Sequence, residues 1–143
     1  MMKRVLIVMS FIGVILSACS KSSSSVDDSA AVIGKWTLLS HREKSTTSGI
    51  VTYDQTSIAA SGVYMNFKTN GTYVYRTYDS STSKYVVDSS TYKVSGSNLL
   101  DNGSGINYQI LNLTSTSMTL YSSSEFTFLG VKEKDENWMN LTK

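Results

Sequence analysis

The chain of 143 residues holds one domain with little to spare. Its 41% apolar and 17% charged residues, lack of proline and tyrosine-rich aromatics (nine of fifteen) suit half-buried strands joined by polar turns. The formal charge of +2 includes Lys3 and Arg4; without that pair 11 basic residues face 11 acidic ones, so no basic field remains to hold nucleic acid phosphates. A single Cys and a single His exclude an internal disulfide framework and a Cys/His zinc site.

Lys3 and Arg4 precede Val5 to Leu16, an apolar run too short for a comfortable membrane span and suited to a secretory signal core. It ends in Leu16-Ser17-Ala18-Cys19, which resembles a bacterial lipobox. That chemistry needs small residues before the thiol for peptidase access and the thiol itself as acyl acceptor, and the chain's only Cys stands there. Residues 1–18 are therefore expected to be a lipoprotein signal peptide, with Cys19 lipidated. At ~0.8 kcal/mol per buried methylene, two or three acyl chains hold a protein on a membrane almost permanently. Ser20 rather than Asp after the cysteine points to the outer membrane of a bacterial envelope, by analogy with lipoprotein sorting. Residues 19–31, with the Ser-rich stretch Ser20 to Ala31, read as a tether with an average reach of ~20 Å. Asp28-Ser29-Ala30 also resembles a short O-glycosylation acceptor of Bacteroidota envelope proteins, with Ser29 as its site; a plain solvated linker is the competing reading.

The folded domain is expected over residues 32–143. Trp36 and Leu38 alternate with Lys35 and Thr37, the period of a strand with one wet face. Ile50 to Tyr53 is a short second strand, and Asp54 to Gly62 reads as a loop. Val63 to Tyr78 is the clearest hairpin, two β-branched and aromatic runs flanking Asn70-Gly71. A two-residue loop would face Phe67 with Val74 and turn Arg76 inward. A type I turn with Gly71 as a left-handed bulge faces Phe67 with Tyr73 and Met65 with Tyr75, leaving Lys68 and Arg76 in water. A buried unpaired charge is costly, so the bulged register is expected.

Lys84 to Val94 returns as a strand, with a bend at Asp88-Ser89-Ser90. Leu99-Leu100 follows a turn, and Asp101 to Gly105 is a loop without the alternating carboxylates of a calcium site. Ile106 to Leu113 and Met118 to Tyr121 form a hairpin, with Leu113 facing Met118 and Leu111 facing Leu120. Ile106, Tyr108 and Ile110 are out of phase with these, which predicts a β-bulge near Ile110. Glu125 to Val131 is a strand, Lys132 to Asn137 a charged turn, and Trp138 to Thr142 a closing strand with Met139 and Leu141 inward. The fold class is all-β: an antiparallel up-and-down meander of eight to ten strands closed into a small barrel.

Gly34-Lys35-Trp36, Phe67 to Tyr73 and Thr91 to Gly96 together resemble the small lipocalin-like lipoproteins of Bacteroidota, from Ile33 to the end of the chain. The resemblance implies a compact barrel with Trp36 across its closed end, an envelope location and a pocket for a small hydrophobic ligand. The later lipocalin signatures and a C-terminal helix are missing, and fold does not by itself settle function. The candidates for ligand lining or core are Trp36, Met65, Phe67, Tyr73, Tyr75, Leu113, Met118 and Phe128. The competing reading is a filled core in an envelope module that contacts a protein or glycan through exposed tyrosines such as Tyr64 and Tyr78. An enzyme is not expected: no Gly-x-Ser-x-Gly occurs, the one thiol is committed to lipid, and His41 sits among Arg42, Glu43 and Lys44. No cofactor and no metal is expected, and the protein should be a monomer, tied to the membrane by its acyl chains.

Overall fold

A computed structural model describes residues 28–143; the signal segment, Cys19 and the first part of the expected tether lie outside them. The described chain opens with one helical turn, α1 (Ser29–Val32). Nine antiparallel strands follow: β1 (Gly34–Thr47), β2 (Ile50–Ile58), β3 (Tyr64–Phe67), β4 (Thr72–Asp79), β5 (Lys84–Ser95), β6 (Asn98–Asp101), β7 (Asn107–Leu113), β8 (Ser117–Phe128) and β9 (Val131–Thr142). One edge of β1 pairs with β9; the other pairs with β3 over Gly34–Thr37 and with β2 over Ser40–Thr47. The meander β1-β3-β4-β5-β6-β7-β8-β9 therefore closes on itself as an eight-stranded barrel, and β2 is a ninth strand.

Turn chemistry and core burial set the β3–β4 register as expected. Phe67 stands opposite Tyr73 and Met65 opposite Tyr75. The Gly71 amide donates to the Lys68 carbonyl at 3.2 Å and the Lys68 amide to the Thr72 carbonyl at 2.8 Å. Gly71 takes φ +77°, which a glycine adopts without strain. Arg76 lies on the outer wall, its guanidinium 3.8 Å over the Tyr85 ring.

The β7–β8 bulge is also present, and its position corrects one pairing. The register shifts between Ile110 and Asn112, so Leu111 is the extra residue and Ile110, not Leu111, stands opposite Leu120. Leu111 is 45% exposed while Ile110 is 6%. The inserted residue brings Ile110 into phase with Leu113, which faces Met118 as expected.

Three other expectations are overturned. The loop placed at Asp54 to Gly62 is strand as far as Ile58, because this stretch completes the edge of β1. The bend at Asp88-Ser89-Ser90 is absent: β5 is continuous, with Asp88 opposite Tyr75 and accepting its hydroxyl at 3.2 Å. Lys132 to Asn137 is not a turn but the first half of β9. The chain reverses instead at Leu129-Gly130, with φ of 50° and 79° at the two residues.

The core fills the end of the barrel that carries α1. Trp36, Phe67, Tyr73, Leu99, Ile110, Met118, Leu120 and Leu141 pack there with Val32. Each contributes about 1.5–3 kcal/mol by leaving water. Trp36 is fully buried, donates from Nε1 to the Val32 carbonyl at 2.6 Å and lies under the Lys143 ammonium at 4.5 Å. This indole joins α1 to the barrel and closes that end. Phe67 stacks on Tyr73 at 5.3 Å and meets Tyr92 edge-on at 5.0 Å.

Candidate functional site: the open end of the barrel

Beyond the core, β2, β1, β9 and β8 continue as a four-stranded wall. Alternation decides what this wall presents inward. Leu141 is buried and Met139 packs against the core, so Asn137, Asp135 and Glu133 share their face. Across the ladders, Asn137 stands opposite Glu43 and Ser122, and Asp135 opposite Ser45 and Ser124. Tyr53 and Gln55 of β2 stand opposite Ser45 and Glu43. Ser45 Oγ donates to Asp135 Oδ1 at 2.7 Å, and the Tyr53 hydroxyl to Gln55 Oε1 at 2.6 Å. His41 Nδ1 lies 3.6 Å from Glu43 Oε1 on the same face.

The basic side chains of these strands take the opposite face and are held there. Arg42 donates to both carboxylate oxygens of Asp54 at 2.8 and 2.7 Å, and its guanidinium lies 4.9 Å over the Trp138 ring. The Arg42 hydrogen bonds keep the Asp54 carboxyl below its ordinary pKa. Glu136 accepts from Lys134 at 2.9 Å and from the Tyr121 hydroxyl at 2.8 Å, which lowers its pKa in the same way. The wall thus presents acceptors and carboxylates inward and cations outward.

Three spaces open on this inner face. One recess of about 280 Å³ is bounded by Glu43, Lys44, Ser45, Tyr53, Asp135, Glu136 and Asn137. A second, of about 340 Å³, shares Asn137 and is bounded by Ile106, Asn107, Ser122 and Ser124. A smaller chamber of about 100 Å³ is lined chiefly by Leu38, Val63, Met65, Tyr75 and Met139. Beside it the wall holds Asp101, 7% exposed, whose carboxylate accepts from Ser90 Oγ at 2.8 Å, Ser104 Oγ at 2.6 Å and the Gly103 amide at 3.0 Å. Burial pushes this carboxyl up, but hydrogen bonds from Ser104, Ser90, Tyr73 and Gly103 outweigh it and hold the pKa below the ordinary value. Burial, reinforced by Asp101, raises the Tyr73 hydroxyl far above its own. Tyr73 is therefore a neutral donor at any physiological pH.

Of the sequence candidates, Trp36, Phe67, Tyr73 and Met118 belong to the filled end, and Leu113 packs against it. Met65 and Tyr75 reach the apolar chamber. Phe128 is neither lining nor core: β8 outruns the barrel body, leaving it 64% exposed beside the last turn. Ser29 lies in α1, and Cys19 outside the described residues. Sequence reasoning missed Leu38, Val63 and Met139 as chamber walls, and Glu43, Ser45, Tyr53, Asp135 and Asn137 as the recess. The signal for Asn137 and Asp135 was available: both continue the two-residue period of Met139 and Leu141. Among the described residues no three His, Cys, Asp or Glu side chains come together as a metal-ligating group.

A comparison with curated proteins returns no match. The family model of the lipocalin-like domain matches residues 32–120, from the Val32 that seats Trp36 to the core residue Leu120 of β8. With the barrel closed by β9 against β1, the chain belongs to the lipocalin-like domain family.

Proposed function

We propose that this protein is a lipid-anchored envelope protein that holds one small amphiphile in the open end of its barrel. One observation carries the reading: an apolar chamber lies beneath polar recesses on the same inner face. The chamber's volume of about 100 Å³ is below the ~300–1,000 Å³ of ordinary ligand pockets. It takes only a short hydrophobic group, so the recesses must hold the rest of the molecule. Their Glu43 and Asp135 carboxylates and Asn137 amide favour a head that donates hydrogen bonds. The chain enters at the filled end through α1, so an acylated Cys19 would leave the open end facing away from the bilayer.

Native mass spectrometry of the acylated protein from its own envelope tests this. A retained small molecule should be lost in Val63→Phe, which fills the chamber, and weakened in Glu43→Gln with Asp135→Asn. A bare protein mass, with no binding across a panel of short-chain amphiphiles, would refute it. The filled end and the exposed pair Tyr78–Tyr85, with ring centroids 5.1 Å apart beside Val87, favour a second reading, a docking wall for a protein or glycan. In that case Tyr78→Ser with Tyr85→Ser, and not Val63→Phe, would abolish capture of the partner.

A further inference from the structure

Among the described residues, β2 is the one strand with a single partner strand, so that one edge is open along its whole length; β5 and β8 leave only part of an edge unpaired, at Lys84–Thr91 and Ser122–Phe128. Soluble sheets guard such edges with lysine, proline, short length or a bulge. β2 is nine residues long, reads IVTYDQTSI, and has Asp54 as its single charge. All of it is exposed, with Ile50 at 71%, Val51 at 51% and Ile58 at 83%. Its one irregularity is the extra residue Thr52 on the β1 side.

We propose that this edge joins two copies of the chain, antiparallel about a two-fold axis through Asp54. An antiparallel edge offers the same alternation of N–H and C=O to a copy of itself, so a two-fold pairing satisfies both edges at once. The side chains select the copy over another strand. Read outward from Asp54, Thr52 would face Thr56 and Ile50 and Ile58 lie equally far out, while Tyr53 would face Gln55 and Val51 would face Ser57. The bulge at Thr52 confines regular pairing to Thr52 through Thr56. The one like-charge meeting, Asp54 with Asp54 of the second copy, is already compensated. Each carboxylate is gripped by Arg42 at 2.8 and 2.7 Å, and Lys44 stands opposite it on β1. The axis runs perpendicular to the sheet, so the two four-stranded walls become one eight-stranded sheet with both recesses on the same side. Such a dimer would stand against the single copy expected from the sequence.

Sedimentation of the full acylated chain in mild detergent tests the pairing. The wild type should be dimeric at high micromolar concentration. Thr52→Lys with Thr56→Lys places lysine opposite lysine twice and should weaken association by about tenfold. Thr52→Glu with Thr56→Lys places glutamate opposite lysine and should restore the dimer. Circular dichroism checks that each variant keeps its sheet. Mixing Thr52→Cys chains with Thr56→Cys chains under mild oxidant should give a 52–56 cross-link by peptide mapping, distinct from any through Cys19, and neither chain alone should form one at these positions. A wild type that stays monomeric, or a dimer indifferent to both charge pairs and lacking the mixed cross-link, would overturn the inference.

Discussion

Asp101 is a charge the barrel wall has taken out of water, and its removal should show what holds the open end together. Its carboxylate accepts from Ser90 Oγ, Ser104 Oγ and the Gly103 amide. Hydrogen bonds to a charged group are worth ~1.5–3 kcal/mol each, and they do not add when they share one acceptor. Asp101→Ala leaves the Ser90 and Ser104 hydroxyls and the Gly103 amide without this acceptor and should cost about 3 kcal/mol. Asp101→Asn keeps one acceptor oxygen and hydroxyl neighbours that can rotate, and should cost about 1 kcal/mol. The acid limb gives an independent check. The folded pKa lies below the unfolded value, so this stabilisation is complete above the unfolded pKa and disappears as pH falls through the folded one. Asp54 and Glu136 are depressed too, but they titrate alike in both proteins. The gap between wild type and Asp101→Asn should therefore close below about pH 4. Urea unfolding followed by the fluorescence of Trp36 and Trp138 measures both effects. A cost below ~1 kcal/mol for Asp101→Ala at neutral pH, or a gap that does not change with pH, would refute this account.

Other substitutions separate the two ends of the barrel. Gly103→Ala should destabilise by about 1–3 kcal/mol, because a Cβ there would collide with Ser90 Oγ and come within 3.2 Å of Ser90 Cβ; a double-mutant cycle with Ser90→Ala should show part of the cost relieved. Phe67→Ala removes a 2%-exposed ring and should cost about 3–5 kcal/mol in the same unfolding assay. Phe128→Ser should stay within about 0.5 kcal/mol of wild type, since the ring is 64% exposed. Trp36→Phe loses the bond to the Val32 carbonyl and should cost about 1–2 kcal/mol, with faster proteolysis within α1 than within any strand.

The filled end was legible because one face of every strand there is apolar. Phe67 and Tyr73 could share a side only in the bulged register, and the mismatch between Ile110 and Leu113 could be relieved only by an extra residue between them. Both follow from a two-residue period working against a dry interior. The sequence reading went astray on which residue the bulge would turn out, which is Leu111 and not Ile110. Periodicity places an insertion within a residue or two, and packing against Leu120 then selects Ile110.

At the open end that lever disappears. Lys132 to Asn137 looked like a solvated turn because a half-buried strand should alternate apolar with polar, and this run contains no apolar residue. In the barrel it still alternates: Lys132, Lys134 and Glu136 face out, where Lys134 meets Glu136 and Lys132 meets Glu125, while Glu133, Asp135 and Asn137 face in. β2 was shortened for the same reason, being wet on both faces and held by β1 alone. Hydrogen bonding to a neighbour, not burial, makes these segments strands: β2 is held by β1 just before it, and β9 by β8 just before it and by β1 from the far end of the described chain. A wall that spends ordered strand on polar side chains adds nothing to the core. What it does add is an inner face of acceptors above an apolar chamber, with Arg42, Lys132 and Lys134 turned away.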